Sequence, residues 1–265
     1  MTGFAADWLA LRAPADTRAR DERLVARLAE TLDRTRPVRI LDLGAGSGAN
    51  LRYLAPRLPM AQQWTLVDQD AALLAAASPP QGPVAVTVSQ KRLDLSDGLP
   101  DLPFEAHDLV TASAFMDLVS QAWLDELGAR CRRTGAALYL ALTYDGRIAW
   151  APSDLEDDRV RHLFNRHQGR DKGFGPALGP EAPAAMRATL AARGYNIECA
   201  DSDWHLGPDE EKLQETLLEG YAAAASEIAP DAGSEIAAWQ DRRRASLANG
   251  RSRLRVGHVD LLALA

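Results

Sequence analysis

The stretch that most restricts what this chain can fold into is Leu41-Asp42-Leu43-Gly44-Ala45-Gly46-Ser47-Gly48. The run just before it, residues 38–43, is short, apolar and partly β-branched, which is the pattern of a buried strand. Just after it, residues 50–58 place Leu51, Tyr53, Leu54 and Leu58 at helical spacing. A strand that meets three alternating glycines and passes at once into a helix must turn sharply. Glycine allows the turn, because it adopts backbone angles closed to other residues and leaves bare backbone for a ligand.

The same alternation continues down the chain. Residues 63–67 read as a second strand closing on Asp68, 71–77 as a short helix, and 84–88 as a third strand followed by Leu93-Asp94-Leu95. Residues 107–112 read as a fourth strand, with Asp108 at its entrance. Ser120 can cap a helix through about residue 130 with Trp123, Leu127 and Cys131 on one face, and 136–142 is a fifth strand. Strands alternating with helices imply parallel pairing and right-handed crossovers, hence an α/β doubly wound sheet. Two more strands come late, at 195–199 and 254–264, separated by helices at 208–225 and 234–247. Seven mostly parallel strands are expected, with the last inserted between its two predecessors. Residues 1–265 read as a single domain. Residues 1–36 form a helical flap, 37–142 a ligand-binding core, and 143–183 a lid insertion. Residues 184–265 complete the sheet around a helical insertion at 207–249.

Composition removes several classes of function. The chain has 265 residues, 46% apolar and 25% charged, which is ordinary globular composition. No apolar run reaches the roughly 18 residues of a membrane span. Residues 1–15 carry Asp7 and Arg12 and lack the pattern of a secretory signal. Two cysteines, Cys131 and Cys199, make neither a disulfide framework nor a metal site, so a reduced cytoplasmic protein without metal is expected. A net charge of −7 disfavours nucleic acid as a partner. The basic residues Arg242, Arg243, Arg244, Arg251, Arg253 and Arg255 lack interleaved aromatics and read as pairing with the acidic segment before them or as a solvated face.

The glycines also fit a dinucleotide fingerprint, since Gly44-x-Gly46-x-x-Ala49 matches it. Three acids decide between the ligands. Asp42 sits inside the end of the first strand, where a carboxylate would crowd a pyrophosphate but suit a cation. Asp68, with Gln69 beside it, closes the second strand, where a carboxylate can take both ribose hydroxyls. Asp94 closes the third, placed to accept from an adenine amino group while the Leu95 amide pairs with the ring. This acidic pocket fits adenosine carrying a sulfonium and an ammonium better than adenosine carrying phosphates.

On these residues the chain resembles the class I S-adenosylmethionine-dependent methyltransferases, which have a Rossmann-like fold. The resemblance rests on Ile40–Gly48, Leu66-Val67-Asp68, Leu93-Asp94-Leu95 and Asp108–Ser113, and covers about residues 38–142. It implies that Gly44, Gly46 and Gly48 shape the methionine end of the site, that Asp68 binds the ribose, and that Asp94 and Leu95 hold the adenine. Ala112 and Ser113, at the end of the fourth strand, would line the amino end. The family's strand order places the last strand antiparallel between the fifth and sixth.

The substrate side is dimmer, because a reactive cofactor needs mainly position and desolvation from the protein. Tyr144 and Asp145 follow the fifth strand at the ligand-binding edge. In the insertion, His167 shares a stripe with Val160, Leu163 and Phe164 and should face inward, whereas His162 lies off it. His167 and Tyr144 are the candidate catalytic residues; Asp145, Asn165, Lys172 and Trp204 are candidates for substrate contact. Trp8, Arg12, Arg18 and Arg20 belong to the flap, with ordinary surface arginines expected. No Asn-Pro-Pro-Tyr motif follows the fourth strand, where the chain reads Ser113-Ala114-Phe115-Met116, which argues against methylation of nucleobase amines or glutamine amides. A small-molecule acceptor is expected. An NAD(P)-dependent oxidoreductase and a non-catalytic S-adenosylmethionine-binding scaffold or sensor remain alternatives.

Overall fold

A computed structural model of the protein describes residues 6–97, 99 and 102–265, so residues 1–5 of the expected flap lie outside the described residues. The chain builds a sheet of β1 (Val38–Leu43), β2 (Gln62–Asp68), β3 (Val86–Arg92), β4 (Leu109–Ser113), β5 (Ala137–Ala151), β6 (Asn196–Asp201), β7 (Trp204–Leu206) and β8 (Arg253–Leu264). The strand order is β3-β2-β1-β4-β5-β8-β6, with β7 also paired to β8. The first five strands pair in parallel. β8 lies between β5 and β6, as the late position of residues 254–264 led us to expect, and runs antiparallel to both, as the resemblance implied.

There are eight strands among the described residues rather than the seven expected, and the difference has a local cause. The expected lid does not begin at residue 143, because β5 continues to Ala151. Leu142 bends the strand with a positive φ of 52°, and Gly146 bends it again at 86°. The register shifts at both places, and pairing with β8 then resumes from Ile148↔Val256 to Ala151↔Arg253. Alternation of inward and outward residues is broken at each bulge, which hides a long strand from a period-two reading. The extra strand, β7, has only three residues and pairs with the same far end of β8. β3 also lies later than the expected 84–88, so Asp94 stands two residues beyond the strand rather than closing it.

Helices α1 (Ala6–Ala19), α2 (Glu22–Thr31), α3 (Ala49–Leu54) and α4 (Ala71–Ala76) precede α5 (Gln121–Thr134). They are followed by α6 (Asp157–Gln168), α7 (Ala182–Ala191), α8 (Glu211–Ile228) and α9 (Gly233–Ala248). Two cores flank the sheet, one gathering α2 and α3 around Trp64 and Ile40, the other α5 and α7 around Leu127 and Leu190. A third core, around Trp150, Trp239 and Tyr221, joins α6, α8 and α9 over the extended ends of β5 and β8. Ser120 and Asp21 cap α5 and α2, accepting from the amides of Trp123 at 3.3 Å and Leu24 at 2.9 Å.

The N-terminal helices are fastened to the sheet by a buried polar cluster. Asp260 of β8 is fully buried and accepts from the Tyr139 hydroxyl at 3.0 Å, the Leu142 amide at 2.8 Å and the Asp21 amide at 3.1 Å. Arg20 lies 3.9 Å from the same carboxylate and stacks over the rings of Tyr53 and Tyr139. The expectation of a surface arginine is therefore corrected at Arg20: it links α1 and α2 to β8. The basic run pairs with acids as expected, although partly with acids outside the segment just before it. Arg242 reaches Asp154, Arg243 reaches Asp157, Arg244 reaches Glu219 and Arg255 reaches Asp203.

Candidate functional site

The bend after β1 forms the floor of a cavity of about 210 Å³ at the carboxyl ends of the parallel strands. Gly44 and Gly46 take positive φ angles of 64° and 52° and line it together with Ser47. At Gly44 a Cβ would lie 2.8 Å from the Phe115 ring, so this glycine makes way for a side chain that roofs the bend. Gly48, expected beside the ligand, is instead the left-handed residue before α3 and does not line the cavity.

The acids divide into two groups. Asp68 and Asp94 line the cavity. The oxygens of Asp68 accept from the Gly46 amide at 2.8 Å and the Asp70 amide at 2.9 Å, which fixes the carboxylate and leaves it a free lone pair on each oxygen. The Ser96 hydroxyl and amide hold the Asp94 carboxyl below its ordinary range. Gln69, Leu95 and Ser113 line the cavity too. Asp42 and Ala112 do not: both are buried beneath the floor. Asp42 accepts from the Asn50 amide at 2.8 Å, and that amide also reaches Thr111 at 3.0 Å. Burial pushes the Asp42 carboxyl up to about 7. Asn50 itself lines the cavity, and its side-chain oxygen has no partner among the described residues. The part of the wall that follows β1, β2 and β3 carries the carboxylates of Asp68 and Asp94 and no cation. Such a donor-poor wall fits adenosine bearing an ammonium and a sulfonium, and would repel a diphosphate.

Two covers close the cavity. From α1 come Leu9, Arg12 and Asp16; from the segment after α6 come Lys172, Gly173 and Phe174. Arg12 and Asp16 form a two-pronged ion pair at 2.9 and 3.0 Å. Phe174 packs edge-on against Phe115 at 5.5 Å and Trp123 at 6.0 Å, and Trp123 donates to the Leu95 carbonyl at 2.9 Å. Asp171 accepts from the amides of Gly173 and Gly175, which folds the second cover into a compact turn.

The other expected substrate residues lie outside this wall. Tyr144 is buried and donates to Asn165 at 2.6 Å, while Asn165 donates to the Gly146 carbonyl at 3.0 Å. Asp145 is bound to Arg147. Trp204 donates to Asp16 at 3.1 Å and lies under the Arg12 guanidinium at 5.0 Å, so it backs the first cover. His162 is exposed. His167 is half-buried but does not reach the cavity; its Nε2 lies 3.2 Å from Glu227 and its Nδ1 3.4 Å from the Lys172 ammonium.

Sequence reading missed Asn50, Phe115, Phe174 and Asp117. Asp117 follows β4 closely, accepts from the Tyr144 amide, and feels the charges of Arg12 and Lys172. Burial pushes its carboxyl up to about 6. An acid just past a parallel strand's carboxyl end was the available clue. His258 packs against Trp204 at 4.9 Å, and burial pushes its imidazole down to about 3, so it is neutral. Among the described residues no cluster of metal ligands exists.

Comparison with known proteins agrees with this geometry. Residues 40–135 match the family model described as a methyltransferase domain. No curated protein matches the chain. Among solved structures, a cyclopropane-fatty-acyl-phospholipid synthase-like protein from Lactobacillus casei superposes with a TM-score of 0.54 at 15% identity, covering 99% of this chain and 95% of that one. The cyclopropane synthase MmaA2 from Mycobacterium tuberculosis gives 0.50 at 12% identity, covering 98% and 94%. At such identities the likeness is one of fold. Together with the cavity, the family match marks residues 40–135 as a class I S-adenosylmethionine-dependent methyltransferase domain, with S-adenosylmethionine its cofactor.

Proposed function

We propose that this enzyme transfers the methyl group to a small-molecule acceptor seated on the β4–β5 side of the cavity. The observation that carries the reading is the division of the wall. Asp68 and Asp94 lie on the side of β1, β2 and β3, while Arg12, Phe115, Lys172 and Phe174 close the opposite side. A pocket roofed from two directions suits a ligand that can be enclosed. A nucleic acid or a folded protein would need an open groove.

When bound, S-adenosylmethionine supplies an electrophilic methyl group on a sulfonium. In our reading Asp68, with Gln69, holds the ribose hydroxyls, and Asp94 with the Leu95 amide holds the adenine edge. Gly44, Gly46 and Ser113 bound the methionine end. Asp42 and Ala112 act from beneath, Asp42 by orienting Asn50, and Gly48 sets the start of α3. Leu9, Phe115 and Phe174 exclude water, and holding two reactants in line in such a space is worth roughly 7–11 kcal/mol of a barrier. Tyr144, Asn165 and Asp145 shape the β5 edge behind the acceptor rather than meeting it, and Trp204 seats Arg12. His167 acts through Lys172. No helix among the described residues is long and apolar enough to cross a membrane. With the two free cysteines, we read the site of action as the cytoplasm.

The test is calorimetry with S-adenosylhomocysteine and NADH, then transfer of labelled methyl from S-adenosylmethionine into small-molecule, RNA and protein fractions of a lysate. We expect homocysteine-adduct binding, no NADH binding, and label in the small-molecule fraction. NADH binding alone, or label only in macromolecules, would refute the reading. Tight S-adenosylhomocysteine binding with no label in any fraction would favour a sensor.

A further inference from the structure

Lys172 is one of only three lysines in the chain, with Lys91 and Lys212. It lines the cavity from the second cover, and burial lowers its ammonium from the ordinary range. Its hydrogen bond is to His167 Nδ1 at 3.4 Å, and among the described residues no carboxylate stands within ion-pair reach of it. The nearby charges come from every side: Asp117 at the end of β4, Glu227 on α8 and Arg170 on the same cover. Glu227 is spent on His167 and Arg170, at 3.2 and 3.1 Å. Asp117 accepts from backbone amides. A half-buried ammonium that lacks a counterion is costly, and the cost is relieved when a ligand anion arrives.

Position tells which ligand. Residues of β1, β2 and β3 line the cofactor side, and the sheet order puts β4 and then β5 beyond them. Lys172 belongs to that far side, tethered through His167 to α6, which packs on β5. Beside it the wall is apolar, with Phe115, Leu118 and Phe174.

We propose that Lys172 is the specificity-determining residue for the methyl acceptor, that it pairs with a carboxylate on a small apolar or aromatic acid, and that His167, held by Glu227, positions it. This rests on the methyltransferase reading above. His167 accepts from the ammonium through Nδ1 and donates through Nε2 to Glu227, so the ring bridges the lysine to Glu227 and fixes its direction. The same carboxylate chemistry exists on the methionine end of the cofactor, and the experiment separates the two sources.

Benzoate, with benzamide as its neutral counterpart, is titrated by calorimetry into protein saturated with S-adenosylhomocysteine, using the wild type, K172M, K172R and H167Q. Affinities for S-adenosylhomocysteine and for 5′-methylthioadenosine, which lacks the amino-acid end, are measured on the same proteins. We expect benzoate but not benzamide to discriminate: K172M weakens benzoate by about tenfold or more, the scale of a hydrogen bond to a charged group. K172R, which keeps the charge, restores binding, and H167Q weakens it less than K172M does. Both adenosyl ligands bind all four proteins alike. Equal benzoate affinity in wild type and K172M, or no benzoate binding to the loaded wild type, overturns the proposal. So does a loss in K172M confined to S-adenosylhomocysteine, which would assign Lys172 to the cofactor. Failure of S-adenosylhomocysteine to bind the wild type strikes the underlying reading instead, and is seen before any benzoate is added.

Discussion

Asp42→Asn isolates the cost of the carboxylate buried under the cofactor site. Asp42 is 1% exposed, and its only hydrogen-bonded oxygen among the described residues accepts from Asn50; the other has no partner. Burial raises the carboxyl from 3.8 to about 7, with the Asn50 hydrogen bond and the Arg20 charge opposing the rise. A folded value above the unfolded one favours folding while the group is protonated, so this stabilisation is complete below pH 3.8 and disappears as the pH rises through about 7. The span corresponds to roughly 4 kcal/mol. Asparagine stays neutral throughout and keeps an oxygen for Asn50. Urea unfolding of both proteins at several pH values between 4 and 8 gives the difference in stability. We expect the difference to move in favour of Asp42→Asn by up to about 4 kcal/mol across that range and to level off above pH 7. A constant offset from altered packing leaves this pH dependence intact, and Asp117 titrates equally in both proteins. Parallel stability curves would show that Asp42 is solvated or paired in a way the geometry does not contain.

Asp68→Ala should weaken S-adenosylhomocysteine binding by about 1–3 kcal/mol in calorimetry, the scale of hydrogen bonds to a charged group; unchanged affinity would mean the ribose lies elsewhere. Asp260→Ala strips Arg20, Tyr139 and the Leu142 amide of their shared buried acceptor, and should cost roughly 3–5 kcal/mol in urea unfolding. A loss under about 1 kcal/mol would show that the cluster does not fasten the N-terminal helices. Phe174→Ala removes two edge-to-face contacts of about 0.5–1.5 kcal/mol each, and should speed S-adenosylhomocysteine release roughly tenfold in stopped-flow tryptophan fluorescence. An unchanged release rate would remove the second cover from the cofactor's exit route.

What could be read from the sequence was what local spacing encodes. The strand, glycine bend and helix at 38–54 follow from glycine's backbone freedom and from apolar periodicity, and the acid at 68 closes its strand while that at 94 stands two residues past one. The insertion of the last strand between its predecessors was legible from its lateness in the chain, and its antiparallel direction only from the family resemblance. The bulges at Leu142 and Gly146 were not, because only tertiary pairing with β8 forces a leucine to a positive φ. Asp42 illustrates a different gap. Its position at a strand end was read correctly, but a strand end has two faces, and register with β2 and β4 turns this carboxylate toward Asn50 and Thr111 under the floor. Arg20 was read as surface because its partner, Asp260, is far away in sequence.

His167 shows why the acceptor side is harder to read than the cofactor side. Its helical stripe with Val160, Leu163 and Phe164 does set the inward direction, and the residue is half-buried as that implies. Periodicity, however, fixes only which way a side chain points, and not what stands in front of it. Here the cover that follows α6 turns back on Asp171 and inserts Lys172 between the imidazole and the cavity. A turn held by a side chain accepting two amides has no periodic signature, so the intervening lysine is invisible until the chain is folded. The cofactor residues escape this problem because the strand ends themselves are the wall. The residues we propose for the acceptor ride on covers contributed by α1 and by residues 172–174, and such covers can change while the strand ends stay in place. That separation lets one fold keep its methyl donor and vary its acceptor, and it makes the cation on the second cover, rather than the histidine behind it, the first residue to exchange when acceptor preference is to be altered.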